Sequence, residues 1–187
     1  MKSSPDPQPV ISVFGSSRPQ PGDAEYQLAF DTGKLLAGAG FTVCNGGYGG
    51  IMEATAKGAK TGGGTTIGVV SSFFSVTANP YIDRTVVTEA LTDRLLKLIE
   101  LGDAYIILKG STGTLLELAA VWEFINKGVI RAKPVVLIGN FWTPVLTTLR
   151  NELLYEGKGE LSSIVKVAAS PEECVKILSK HFNLPDF

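Results

Sequence analysis

Two glycine-rich stretches, Gly46-Gly47-Tyr48-Gly49-Gly50-Ile51-Met52-Glu53 and Gly110-Ser111-Thr112-Gly113-Thr114-Leu115-Leu116-Glu117, each stand between a short apolar run and a helix-like run. A turn without Cβ atoms lets backbone N–H groups close around an anion, and the helix that follows turns its own unpaired amides to the same charge. A single turn of this kind often has a purely steric cause, whereas two in a chain of this size point to a phosphorylated ligand. Gly15-Ser16-Ser17-Arg18 follows the first apolar run and can bring hydroxyls and a cation to the same place. Arg18 reads either as a solvated loop cation or as a contact to a phosphate or base.

Two charged residues are the candidates for chemistry. Glu117 closes the second glycine stretch, one turn into a helix, and has two readings. Thr114-Leu115-Leu116-Glu117 fits a capping box, in which the carboxylate only bonds back to the helix start. Alternatively, the carboxylate faces the crevice where a ligand would lie. Arg94 falls on the apolar flank of its helix, between Leu98 and Leu101, at about 100° per residue. It either snorkels to water or is aimed into the site, towards a phosphate or towards Glu117. Glu53, near a helix start, is explained by the helix dipole.

Other chemistries find little support. Gly47-Tyr48-Gly49-Gly50-Ile51-Met52 lacks the dinucleotide spacing, and Asn45 stands where a ribose-binding carboxylate is expected, which disfavours NAD. Gly58-Ala59-Lys60-Thr61 lacks the first P-loop glycine and lies at a helix end, so a Walker ATPase is rejected. His181 is the only histidine and lies far along the chain from every glycine turn, against a Ser-His-Asp or Cys-His centre and against histidine-rich metal sites. Cys44 and Cys174 have no metal spacing and sit in apolar contexts that suit buried thiols, as expected in a reducing cytosol. With 17 basic and 18 acidic residues, the chain has no overall pull towards nucleic acid or anionic membrane. No apolar run approaches the roughly 18 residues of a membrane span. Expected partners are therefore a small-molecule nucleotide and further copies of the chain, with no nucleic acid, membrane, metal or cofactor.

The elements that must position these residues alternate. Strand-length apolar runs at Val10 to Phe14, Phe41 to Cys44, Thr66 to Val70, Ala104 to Leu108, Pro134 to Ile138 and Ile164 to Val167 are each followed by a helix-like stretch. The helices are predicted near Asp23 to Ala37, Ile51 to Lys60, Glu89 to Leu101, Thr114 to Lys127, Pro144 to Leu154 and Pro171 to His181. This is the pattern of an α/β, Rossmann-like, doubly wound parallel sheet of six to seven strands covered on both faces, with ligands beyond the strand carboxyl ends. Residues 10–187 are expected to form a single domain that buries about 70% of its unfolded surface, after a disordered segment at 1–9. Leu115, Leu116, Leu118, Val121, Trp122, Phe124 and Ile125 leave one helix without a polar face, so a second subunit is expected to cover what the sheet does not.

Val43 to Glu53 (V-C-N-G-G-Y-G-G-I-M-E) and Leu108 to Glu117 (L-K-G-S-T-G-T-L-L-E), with Arg94 nine positions before Asp103, resemble the LOG family over about residues 10 to 180. That family was long labelled lysine decarboxylase-like, and its characterised members are cytokinin riboside 5′-monophosphate phosphoribohydrolases. The resemblance implies a Rossmann-like fold, a dimer and hydrolysis of the N-glycosidic bond of a nucleoside 5′-monophosphate. Glu117 and Arg94 would be catalytic. Gly15, Ser16, Ser17, Arg18, Gly46, Gly47, Gly50, Met52, Gly110, Ser111, Thr112, Gly113 and Thr114 would bind the nucleotide and its phosphate. The family's P-G-G-x-G-T-x-E-E is altered here: Lys109 replaces the proline, Ser111 a glycine and Leu116 the first glutamate. Asn45 and Glu53 each replace a glycine in the first motif. These departures point to a divergent branch of a superfamily that also holds molybdenum-cofactor carriers, so a non-catalytic nucleotide sensor or cofactor carrier is the second expectation. No lysine is singled out for a pyridoxal Schiff base.

Overall fold

The computed structural model describes residues 8–185. Of the segment expected to be disordered, residues 1–7 lie outside the described residues. Seven strands form one parallel sheet: β1 (Val10–Phe14), β2 (Thr42–Asn45), β3 (Thr66–Ser71), β4 (Arg84–Thr88), β5 (Ala104–Ile107), β6 (Val135–Ile138) and β7 (Val165–Ala168). Their order is β4-β3-β2-β1-β5-β6-β7. Among the described residues five α-helices connect strands, α1 (Ala24–Gly38), α2 (Ile51–Thr61), α3 (Leu91–Leu101), α4 (Thr112–Asn126) and α5 (Thr143–Tyr155), and α6 (Pro171–Phe182) follows β7. The central strands are mostly apolar because both faces of the sheet are covered, and the buried Ser12 within β1 is satisfied by donating to the Leu98 carbonyl at 2.8 Å. One face carries a core of Ile11, Val13, Phe41, Val43 and Ile106 against α1, α2 and α6. On the other, Phe14, Tyr105, Ile107 and Leu137 meet Leu98, Leu118, Val121 and Trp122 of α3 and α4.

Chain order runs outward in opposite directions from the β1–β5 pair, whose register sets Phe14 opposite Ile107. Beyond the carboxyl ends of these two strands a crevice opens, because successive crossovers leave to opposite faces there. The six strands and six helices expected from the sequence are all present. The seventh strand, Arg84–Thr88, is an edge strand whose residues stay exposed or half-exposed, so its R-T-V-V-T carries no buried-strand pattern. Among the described residues no helix is long and apolar enough to cross a membrane.

Candidate functional site

The three turns that follow β1, β2 and β5 meet at the carboxyl edge of the sheet. Ser16 N–H donates to the Lys109 carbonyl at 3.0 Å, and Ile51 N–H donates to the Ser16 carbonyl at 2.9 Å. Gly50, with φ +69°, lies so close to Ser16 and Ser17 that a Cβ there would come within 2.4 Å of the Ser17 carbonyl carbon. A side chain at this position would push the first two turns apart.

Asn45 organises the β2 turn. It is fully buried, accepts from Gly47 N–H at 2.8 Å, and donates to the Met52 carbonyl at 2.9 Å and to Thr55 Oγ1 at 3.1 Å. A carboxylate at this position could not donate to the helix carbonyl, so the residue that breaks the dinucleotide pattern is the one that folds this turn. Glu53 accepts from the Tyr26 hydroxyl at 2.9 Å and so ties α2 to α1. Its neighbour Met52 is buried and places Sδ 3.6 Å from Arg94 Nη2.

Arg94 does not snorkel, being only 9% exposed. Its Nε donates to the Val69 carbonyl at 2.8 Å and its Nη2 to the Gly46 carbonyl at 3.0 Å, so it clamps β3 to the β2 turn. The Tyr48 ring lies 5.2 Å from the guanidinium carbon, within cation–π range. Gly46 has to be glycine, because a Cβ would sit 1.6 Å from Arg94 Nη2. Burial pulls the Arg94 pKa down, and the Glu117 carboxylate is the main influence holding it up.

Helix α4 starts three residues earlier than the T-L-L-E signature suggests, at Thr112 with Ser111 as its N-cap in place of Thr114. That places Glu117 well inside the helix and removes the capping-box reading. Glu117 is partly buried, and among the described residues its carboxylate takes part in no hydrogen bond or ion pair. Burial raises its pKa from 4.5 to about 7, against the opposing pull of Arg94. Arg94 and Glu117 are thus electrostatic neighbours without direct contact.

No side chain caps the first turn of α4, so its leading amides stay available. Above Gly113 is open space, with nothing within 4 Å of where a Cβ would lie. Ser111 and Thr112 are exposed beside it, whereas Thr114 is buried, its hydroxyl tucked beneath Gly110. The Ser16 hydroxyl accepts from the Arg18 N–H at 3.1 Å, and the side chains of Ser17 and Arg18 are exposed. Lys109 pairs with Glu25 in the first turn of α1 and lies 5.7 Å from the Phe141 ring centre. His181 is exposed and stacks edge-on against Phe182. Among the described residues no three of His, Cys, Asp or Glu are grouped to hold a metal. A cavity of about 500 Å³ between α4 and α5, floored by Trp122 and Leu153, is lined by none of the candidate site residues.

Sequence reasoning missed Asn79 and the structural part played by Tyr48. Asn79 N–H donates to the Gly47 carbonyl at 2.7 Å and its Nδ2 to the Tyr48 carbonyl at 2.9 Å. Backbone acceptors more than thirty residues away leave no motif to read.

Comparison with known proteins agrees with this fold. The SLOG cluster4 family model matches residues 8–175. A protein of Archaeoglobus fulgidus is 34% identical over 128 residues, covering 68% of this chain and 82% of its own length. The cytokinin riboside 5′-monophosphate phosphoribohydrolase of Mycobacterium tuberculosis is 31% identical over 132 residues, 69% of this chain and 70% of that one. Among solved structures, the molybdenum cofactor binding protein of Rippkaea orientalis superposes with a TM-score of 0.75 at 27% identity, covering 95% of this chain and 99% of that one. A seven-stranded Rossmann-like sheet, paired glycine turns at its switch point and a match over nearly the whole chain make this protein a member of the LOG-like SLOG cluster4 family.

Proposed function

We propose that the chain hydrolyses the N-glycosidic bond of a purine nucleoside 5′-monophosphate, AMP or a cytokinin riboside monophosphate, to free base and ribose 5-phosphate. The observation that carries this reading is Glu117: a carboxylate without a partner, beside the uncapped start of α4 and within the field of Arg94. The 5′-phosphate sits over Gly110 to Thr114, where open space above Gly113 admits it. Cleavage breaks the bond between the sugar C1′ and the base nitrogen. The electron pair leaves with the base, and positive charge develops on the ring. A carboxylate beside C1′ stabilises that charge in the transition state more than in the ground state. Water then adds to C1′ while its proton passes to Glu117 and on to the departing base, a transfer favoured by a pKa near 7. Arg94 acts beneath, holding the β2 turn and pulling the Glu117 pKa down against the effect of burial. The chemistry asks for no metal or cofactor.

A dimer or higher oligomer belongs to the same reading. Leu116 is 51% exposed next to Glu117, and Leu96 of α3 is 50% exposed, so one chain leaves apolar surface beside its own site. Activity in the cytosol without nucleic acid or membrane completes the proposal. The second reading is a sensor or carrier that keeps the cradle and has lost turnover. It is favoured by Leu116, which can neither hold water nor accept a proton, and by the likeness to a protein that binds molybdenum cofactor. Chromatography of AMP and an N6-prenylated AMP incubated with the protein decides between them. Free base appearing in step with ribose 5-phosphate supports hydrolysis; tight nucleotide or pterin binding without product supports the carrier.

A further inference from the structure

We infer that the β3–β4 loop is the base-recognition shelf of this site, with Phe73 and Phe74 stacking against the heteroaromatic ring of the bound nucleotide. The inference rests on the nucleotide reading above. Phe73 is 70% exposed and Phe74 58% exposed, two adjacent phenyl rings that no core claims. They follow β3, and in an all-parallel sheet every such loop lies at the edge where the glycine turns meet.

The loop is built rigidly into that edge. Phe74 and Ser75 N–H groups both donate to the Ser71 carbonyl at 3.0 Å, forming a tight turn. The Tyr48 hydroxyl accepts from Ser71 N–H at 2.8 Å and donates to the Ser75 carbonyl at 2.8 Å, closing the turn from the other side. Asn79 then holds the far end of the loop to the carbonyls of Gly47 and Tyr48. The rings continue the site outward without a break. Arg94 lies 5.2 Å from the Tyr48 ring, Tyr48 is edge-to-face with Phe74 at 6.1 Å, and Phe74 is edge-to-face with Phe73 at 5.0 Å. A nucleotide with its phosphate at α4 and its sugar at Glu117 needs a flat apolar surface for its base, and these phenyl faces are preordered for that at no cost of loop closure.

The test measures binding to the full chain carrying Glu117→Gln, which leaves the nucleotide intact, with and without Phe73→Ala/Phe74→Ala. Both phenyl groups are exposed, so the variant keeps the fold, and its thermal melt verifies this. Expected is a loss of AMP affinity of about tenfold or more, as loss of an aromatic stacking surface gives, with ribose 5-phosphate affinity unchanged within about twofold. Equal AMP affinity in the two proteins, or an equal loss for AMP and ribose 5-phosphate, overturns the shelf and leaves the nucleotide reading standing. Failure of the parent to bind AMP or ribose 5-phosphate removes the nucleotide reading and the shelf with it. Phenylalanine-dependent binding confined to a thymine oligonucleotide, or a change of sedimenting mass in the variant, reassigns the rings to a nucleic acid or to a second copy and also overturns the proposal.

Discussion

Replacing Gly46 by alanine tests whether Arg94 is clamped as described. The added Cβ would fall 1.6 Å from Arg94 Nη2 and 2.6 Å from Met52 Sδ. Methionine can swing aside, but the guanidinium is held by carbonyls at 2.8 Å and 3.0 Å and cannot move without giving up one of them. A charge-assisted hydrogen bond contributes about 2 kcal/mol and overpacking costs about 1–2 kcal/mol, so the expected loss is about 3–4 kcal/mol. For a chain of this size that lowers Tm by about 10 °C in thermal unfolding followed by circular dichroism. In an Arg94→Ala background the same substitution should cost only about 1 kcal/mol, giving a double-mutant coupling well above the error of the method. Gly113→Ala is the control: its Cβ meets open space in the first turn of a helix, and stability should hold or rise by up to about 1 kcal/mol. A Gly46→Ala protein melting within about 2 °C of the parent, or paying the same cost in both backgrounds, would refute the clamp.

Three other perturbations have expected outcomes. Because burial raises the Glu117 pKa from 4.5 to about 7, the folded state binds a proton that the unfolded chain has released, and stability falls as pH rises between those values. Urea melts should therefore show Glu117→Gln gaining on the parent by about 2 kcal/mol between pH 5 and pH 8, and a pH-independent difference contradicts the assignment. Tyr48→Phe takes the partner from the buried Ser71 N–H and should cost about 1–2 kcal/mol by scanning calorimetry, whereas an unchanged melt means the hydroxyl does not hold the loop. Sedimentation at micromolar concentration should give the mass of a dimer or higher oligomer, shifted towards the monomer by Leu116→Asp; a monomeric parent ends the oligomer proposal.

Much of this was legible in the sequence because periodicity and glycine placement act locally. Continuous apolar runs marked the buried strands, and the glycines at 46, 47 and 50 marked the turn whose backbone crowds Arg94, Val70 and Ser17. Where reading stopped, the cause is also physical. In the sequence Arg94 reads either as a snorkelling cation or as a partner for a phosphate or Glu117; its closest bonds are to backbone carbonyls, which every residue owns and no motif announces. The T-L-L-E signature misplaced the start of α4 because Thr114 is drawn inward beneath Gly110, and the helix begins at Thr112 instead. Strand β4 escaped notice as an exposed edge, where pairing to β3 rather than burial makes the strand. The aromatic loop after β3 carried no signal, since its rings belong to neither core.

The proposed hydrolysis depends on Glu117 as the group that stabilises the charged sugar, and single-turnover release of base from AMP by the parent and by Glu117→Gln tests this role most directly. The predicted result is base and ribose 5-phosphate in equal amounts from the parent, a rate lower by about 100-fold or more in the glutamine variant, and AMP binding changed little. Equal rates in the two proteins would contradict it.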